Sequence, residues 1–277
     1  MRRGIVVATV LLTMSGVTFA QAQQTFVQVP AIVTDLYDHY VSGLTDENFR
    51  VFEDGTPQRV QVSTVRAPFS LAVILDTSDA TFARQALEVF TNSELCLIQM
   101  APEPKLTVPF TTKTVEIESH LNAPTVDRLR LLDAMHVAAE ELRRANNARR
   151  AILILSDSRS LTFRFDQLEA RDAAAMLDVP VYSMNLWQPV RDGWYPIGPA
   201  LAKLTGGTAM DVGGADQAQA AAERMKIELE NMYTLQYPQS KAQDGKYREL
   251  RIDVQLNGQT NQLSTRYRAG YYAVKVP

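Results

Sequence analysis

Cysteine is nearly absent: Cys96 is the single one in 277 residues, so no intrachain disulfide can form and stability must come from packing. Histidine is scarce too, at His39, His120 and His136, with no His- or Cys-rich spacing of the kind that ligates zinc. There is no G-x-S-x-G elbow and no phosphate-cradling G-x-G-x-x-G; Gly206-Gly207 and Gly213-Gly214 fit neither pattern. Excess positive charge is also missing. With 28 Lys and Arg against 31 Asp and Glu, nothing is left over to neutralise a nucleic-acid backbone. The one basic cluster, Arg143, Arg144, Arg149 and Arg150, falls at the end of an expected helix, where a solvated face complementing the helix dipole accounts for it.

Long apolar runs are confined to the start. Residues 1–22 have a basic opening at Arg2 and Arg3, an apolar stretch from Gly4 to Ala20, and the small-residue ending Ala20-Gln21-Ala22. This is the pattern of a secretory signal peptide. Its removal leaves 255 residues and takes away two arginines, so the net charge moves from −3 to −5. No lipobox cysteine follows, and no later segment approaches the roughly 18 apolar residues needed to cross a bilayer. An exported chain, periplasmic or extracellular, is therefore expected. At 46% hydrophobic and 21% charged it has an ordinary globular composition and can build a full core without staples.

Texture along the chain changes twice. Thr25–Thr34 and Phe49–Val65 alternate as half-buried strands, the second around Asp54-Gly55, a hairpin turn signal. From Ser70 the apolar runs become continuous: Ser70–Leu75, Ala151–Leu155 and the less pure Val179–Leu186. Runs without alternation suit strands buried on both faces of a parallel sheet. Helical patterns separate them over Thr81–Phe90, Arg128–Arg144, Phe165–Leu177, Pro199–Leu204 and Gly214–Met232. Leu132, Met135, Ala139 and Leu142 share one face of the second of these. Alternation returns in Tyr247–Val254 and Gln262–Val274, around the hairpin signal Asn257-Gly258.

The fold expected is a doubly wound α/β domain with a mostly parallel central sheet, flanked by a small antiparallel β module built from both chain ends. Its divisions are 23–67 for the N-terminal β segment, 68–236 for the α/β domain and 237–277 for the C-terminal β segment that pairs with 23–67. Each β piece is too small to stand alone. Cys96 lies in the apolar run Leu95–Met100 and reads as a small buried hydrophobe in the second strand.

In such a sheet, ligands bind at the carboxyl ends of the strands, beside the switch point. Two apolar strands deliver an acid there, Asp76 and Asp157, and Ser78 adds a hydroxyl. Such an oxygen-rich set suits Mg²⁺. The same residues also fit a plainer role, in which Asp76, Ser78, Asp79 and Asp157 end strands and cap the helices that follow. The other candidate is the aromatic loop Trp187–Pro199, with Trp187, Arg191, Trp194 and Tyr195 as ligand-binding residues. Those rings could equally pack on the β module or cover the rim.

Ser70–Ala80, SLAVILDTSDA, resembles the opening of a von Willebrand factor A (VWA) domain, whose metal-ion-dependent adhesion site begins Asp-x-Ser-x-Ser. Beyond that, the chain resembles a secreted bacterial VWA-related family common in acidobacteria. Gly43-Leu44-Thr45 with Phe49, Val51, Glu53, Asp54 and Gly55 follows that family's leading pattern. Arg130–Ala134, Leu155–Ser158, Thr205–Gly207 and Gly270–Ala273 follow its later ones.

The resemblance implies a Rossmann-like VWA domain and a metal site at Asp76, Ser78 and Asp157. Two positions depart from it: Ala80 stands where the motif has its second serine, and Leu129 where it has a threonine. The site is thus degenerate, with three of five ligand positions kept. No resident cofactor is expected, Mg²⁺ being the one cation so depleted a set could take. The function expected is that of an exported, non-enzymatic VWA-type protein-binding or adhesion module with unidentified protein partners and no nucleic-acid partner. The alternatives from other classes are a metal-dependent hydrolase using Asp76 and Asp157, and a structural envelope component.

Overall fold

The computed structural model describes residues 26–63, 68–100, 103–121, 131–157, 162–163, 167–186, 195–239, 241–256 and 262–273; the expected signal segment lies outside them. The chain opens on β1 (Phe26–Asp35), β2 (Phe49–Glu53), β3 (Thr56–Gln58) and β4 (Gln61–Ser63). Strands and helices then alternate: β5 (Phe69–Asp76), α1 (Ala80–Glu88), β6 (Glu94–Gln99), β7 (Lys105–Thr111), α2 (Thr114–Glu118), α3 (Leu131–Arg143), β8 (Arg149–Ser156), β9 (Thr162–Phe163) and α4 (Gln167–Ala175). β10 (Val181–Leu186), β11 (Tyr195–Pro196), α5 (Ile197–Thr205), β12 (Ala209–Val212) and α6 (Ala215–Glu230) continue that series. The chain returns to strands with β13 (Tyr233–Pro238), β14 (Tyr247–Val254), β15 (Leu263–Tyr267) and β16 (Gly270–Tyr272). The result is a mixed α/β fold with six helices among the described residues.

All eight residues of β5 are buried, because each face of the strand meets its own layer of helices. Leu71, Val73 and Leu75 share a core with Phe82 of α1 and with Met225 and Leu229 of α6. Ala72 and Ile74 share the opposite core with Met135 and Leu142 of α3 and Leu201 of α5. β8 divides in the same way, Leu153 and Leu155 to the first layer and Ile152 and Ile154 to the second. Burying each such aliphatic side chain contributes about 1.5–3 kcal/mol, so a polar residue is accommodated only where it finds a partner, as Ser70 does in Glu94. This is why the run SLAVIL does not alternate. Cys96 of β6 lies wholly inside the second layer, where burial pushes its thiol up to about 12 and leaves it inert.

The central sheet runs β12-β10-β8-β5-β6-β7. Neighbours are parallel except β6 and β7, which are antiparallel. Counting its strands from β5, this is the order 3-2-1-4-5-6, and the winding reverses between β5 and β8. α1 and α6 cover one face, and α3, α4 and α5 cover the other. α5 starts two residues before Pro199, which sits in the first turn where its missing N–H is not needed. Gly206, at φ +85°, ends that helix, and a Cβ there would meet the backbone of Tyr267 at 2.7 Å.

The two chain ends form a pair of four-stranded antiparallel sheets, β15-β1-β13-β4 and β16-β14-β2-β3. They face each other across a core that includes Val29, Val33, Phe49, Val51, Leu235, Tyr237 and Ile252. Asp54 (φ 47°) and Gly55 (φ 75°) make the two-residue turn between β2 and β3, as their sequence signal predicts. β13 runs across the 236/237 division expected from sequence and pairs with β1. The expected pairing of Tyr247–Val254 with Gln262–Val274 forms only in part: Gly270–Tyr272 (β16) pairs antiparallel with Tyr247–Glu249, while Leu263–Tyr267 (β15) does not pair with β14. β14 lies between β2 and β16, so both its edges are taken, and β15 crosses to the other sheet beside β1. Asn257-Gly258 lies outside the described residues. Inside the sandwich, buried Glu53 accepts hydrogen bonds from Tyr237 Oη (2.8 Å) and Tyr271 Oη (2.7 Å). Burial, reinforced by that carboxylate, holds both phenols well above their ordinary pKa.

Among the described residues a single ion pair joins the sandwich to the α/β unit. Glu228, on the last turn of α6 and 4% exposed, receives Arg266 of β15 in bidentate fashion at 2.6 and 3.0 Å. Thr208 Oγ1, at the start of β12, donates to the same carboxylate at 3.0 Å, and Tyr40 Oη donates at 3.4 Å. Burial works against the Arg266 cation, but Glu228 outweighs it and holds the guanidinium above its ordinary pKa. Removing one partner strands the other charge. Glu228→Ala is therefore expected to cost about 3 kcal/mol, at the lower end for a broken buried pair because Arg266 keeps some water contact. The check is the urea midpoint by circular dichroism; a loss under about 1 kcal/mol contradicts the clamp.

Candidate functional site

The winding reversal leaves a crevice at the carboxyl ends of β5 and β8, and that is where the two expected acids meet. Asp76 ends β5 and pairs in register with Ser156, the last residue of β8. Asp157 follows, its N–H donating to the Asp76 carbonyl at 3.3 Å. Ser156 Oγ donates to Asp76 Oδ2 at 3.0 Å. Both acids are buried, Asp76 at 1% and Asp157 at 4% exposure. The strands arrive side by side because their apolar runs have equal length and the same two-sided burial, so the first polar residues after them come out level.

Ser78, by contrast, is exposed. The residues around it are committed to the helix that follows. Asp79 is the N-cap of α1, accepting from Thr81 N–H at 3.0 Å and Phe82 N–H at 2.9 Å. Thr77 Oγ1 accepts from Asp79 N–H at 3.0 Å, which fixes the cap itself. Ala80 opens the helix and offers no side-chain oxygen. The plainer role open to this stretch is therefore filled by Asp79 and Thr77, and Ser78 has no part in it. The threonine position of the resemblance, Leu129, lies outside the described residues.

A divalent cation fits this arrangement poorly. Mg²⁺ asks for six oxygens near octahedral positions. Here Asp79 spends its Oδ1 on two helix N–H groups, and the next residue, Ala80, has no side-chain oxygen. Among the described residues no group of three or more His, Cys, Asp or Glu side chains is placed to hold a metal ion.

The rim continues beyond the acids in a way sequence reading did not single out. Ser183 Oγ donates to Asn185 Oδ1 at 2.9 Å, and Asn185 Nδ2 donates to Asp211 Oδ1 at 2.9 Å. Together they carry a polar chain across the ends of β10 and β12. Asn185 is 2% exposed. The signal was the pair of polar residues inside otherwise apolar strands, VYSMNL and AMDV, at matched register.

Of the aromatic-loop residues, Trp187, Arg191 and Trp194 lie outside the described residues. Tyr195 is placed through its backbone, in β11 paired antiparallel with Phe163 of β9. The histidines do not converge: His39 sits against Asp35 and His120 against Ser119, both exposed, while His136 lines a cavity between α3 and α4. The basic cluster is only partly the solvated face expected. Arg144 pairs with Glu141 at the surface, but Arg149 is 5% exposed and donates to the carbonyls of Leu229 and Glu230. There it caps the orphan carbonyls of α6, which a cation at a helix C-terminus does well.

No family model matches this chain, and no curated protein matches it. Several solved structures are similar at low identity. The conserved hypothetical protein BatB from Bacteroides thetaiotaomicron is 14% identical with a TM-score of 0.46, over 59% of this chain and 98% of that one. The SpRpn10 VWA domain is 10% identical with a TM-score of 0.43, over 58% and 97%. A von Willebrand factor type A structure from Catenulispora acidiphila is 7% identical with a TM-score of 0.45, over 90% and 75%. These are broad likenesses, and the chemistry of the chain rests on its own rim residues.

Because Asp79 and not Ser78 holds the helix, the two should separate cleanly on substitution. Asp79→Ala is expected to lose about 1 kcal/mol, the usual value of an N-cap, in urea unfolding. Ser78→Ala is expected to be neutral within about 0.5 kcal/mol. Equal losses would show that the serine carries structure after all.

Proposed function

We propose that this is an exported, non-enzymatic protein-binding module of VWA type. Its rim keeps the acids of a metal-ion-dependent adhesion site without enough ligands to use them. The observation that carries the reading is the divided fate of SLAVILDTSDA. Asp76 and Asp157 still converge at the winding reversal, while Asp79 caps α1 and Ala80 leaves a ligand position blank. The rim then offers partners a polar surface with fixed hydrogen-bonding groups, and the VWA resemblance supplies protein contact as its use. Export rests on the signal-like residues 1–22.

Hydrolysis is disfavoured by the same geometry. A metal-dependent hydrolase needs a cation held firmly enough to lower the pKa of a bound water, and a base to take its proton. Neither His39, His120 nor His136 is brought to Asp76 and Asp157.

The test is a thermal-shift titration with Mg²⁺ and Mn²⁺ on the wild type and on Asp76→Ala, with ester and phosphoester turnover measured alongside. A cation at about 100 times its Kd adds about 2.7 kcal/mol of apparent stability. The expected outcome is no metal-dependent rise in either protein and no turnover. A rise in the wild type that Asp76→Ala abolishes would overturn the incomplete site. Metal-stimulated turnover lost in Asp157→Ala would overturn the binding-module reading in favour of a hydrolase.

A further inference from the structure

The β12 edge of the α/β unit presents a second feature, which shares Asp211 with the polar rim. Among the described residues β12 is the last strand of the central sheet and has one neighbour, β10. Ser183 N–H of β10 donates to the Thr208 carbonyl, and Ser183 is in register with Ala209. Alternation then fixes which groups face which way. Met210 and Val212 turn their backbone groups toward β10. Ala209 and Asp211 turn N–H and C=O outward, away from the sheet.

Two cavities flank this edge, one on each face of the strand. The first, about 590 Å³, lies between β12 and α6, with Tyr40 at one end and Asp216 at the other. The second, about 550 Å³, lies between β12, α5 and β15 and includes Lys203 and Thr265. Both are lined by Thr208 and Ala209. An edge with outward backbone groups and a recess on either face is what an added strand requires, since its side chains project alternately to the two sides. Natural edges are usually blunted by proline or lysine. β7, at the far edge of the same sheet, carries Lys105 and Pro109, whereas β12 reads AMDV.

The groove also has a charge pattern. Asp211 and Asp216, both exposed, both line the first cavity near the carboxyl end of β12 and enter no ion pair among the described residues. Arg224 lies eight residues along α6 from Asp216, which is about 12 Å. Glu228 at the far end is already neutralised by Arg266. Twelve ångströms correspond to about three to four residues of extended chain.

We infer that β12 takes an extended segment of a partner protein as an added strand, one carrying a Lys or Arg opposite Asp211 and Asp216 and a carboxylate three to four residues away opposite Arg224. Backbone hydrogen bonds at Ala209 and Asp211 supply the docking, and the two charges set its position. The site stands whether or not the rim at Asp76 binds anything.

The probe is a capped eight-residue peptide of alternating valine and threonine, with one lysine and one glutamate four residues apart. Its twin has glutamate in both places. Binding to the full chain is read by fluorescence polarisation, and backbone protection by amide hydrogen exchange. The lysine peptide is expected to bind and to protect the Ala209 and Asp211 amides, with the twin weaker by about fivefold or more. Asp211→Asn with Asp216→Asn is expected to erase that preference. Ala209→Pro removes one outward N–H without touching the β10 ladder and is expected to abolish binding. Should that variant fail to fold, the asparagine pair and the exchange pattern still decide. Absence of binding by both peptides overturns the inference, as does unchanged protection at Ala209 and Asp211. Protection that rises with protein concentration alone overturns it too, since a second copy would then be the occupant.

Discussion

The bidentate pairing of Glu228 with Arg266 is the charged contact between the two halves of this molecule, which the Tyr272–Asp172 hydrogen bond also joins. α6 ends two residues after Glu228, and the chain passes almost at once into β13, the strand that pairs with β1. Arg266 belongs to β15, on the other side of β1. The same carboxylate holds Thr208 at the head of β12. One buried acid therefore fixes the end of a core helix, the start of an edge strand and the seat of the sandwich. A buried pair of this kind adds little net stability over an apolar contact of the same shape, but it is costly to break and admits one geometry. Here that geometry sets how the edge of β12 is presented.

Two-sided burial explains where the chemistry sits. A strand such as β5, apolar from Leu71 to Leu75 and buried on both faces, has no room for an acid before its last residue, so Asp76 emerges at the rim. β8 is built alike and emerges beside it. The convergence of Asp76 and Asp157 follows from the core, independently of any ligand. A metal site on this scaffold needs further hydroxyls supplied by the loops, and at Ala80 the loop supplies none. The two acids belong to a polar margin that Ser183, Asn185 and Asp211 continue.

Much of this was legible in the residues. Continuous apolar runs marked β5, β8 and β10, alternation marked the outer strands, and Asp54-Gly55 marked its turn. The meeting of Asp76 with Asp157 was readable because strand ends and switch points are local consequences of pattern. The individual strand partners over long sequence distance were not. β14 and β15 look like hairpin partners, yet each finds a better-matched neighbour in β2 or β1, more than 190 residues away in register terms such as Ile252 with Val51. Arg149 was read as solvated because its partners, the Leu229 and Glu230 carbonyls, lie some 80 residues on. The Glu228 clamp escaped notice for the same reason: neither residue is unusual until the fold brings them together.

The claim at the centre is that the rim is an incomplete metal site on an intact scaffold. Calorimetric titration of Mg²⁺ into the double variant Ala80→Ser with Leu129→Thr tests it most directly, beside the wild type. Saturable binding in the double variant and none in the wild type is the expected result. Binding of equal strength in both, or in neither, would contradict it.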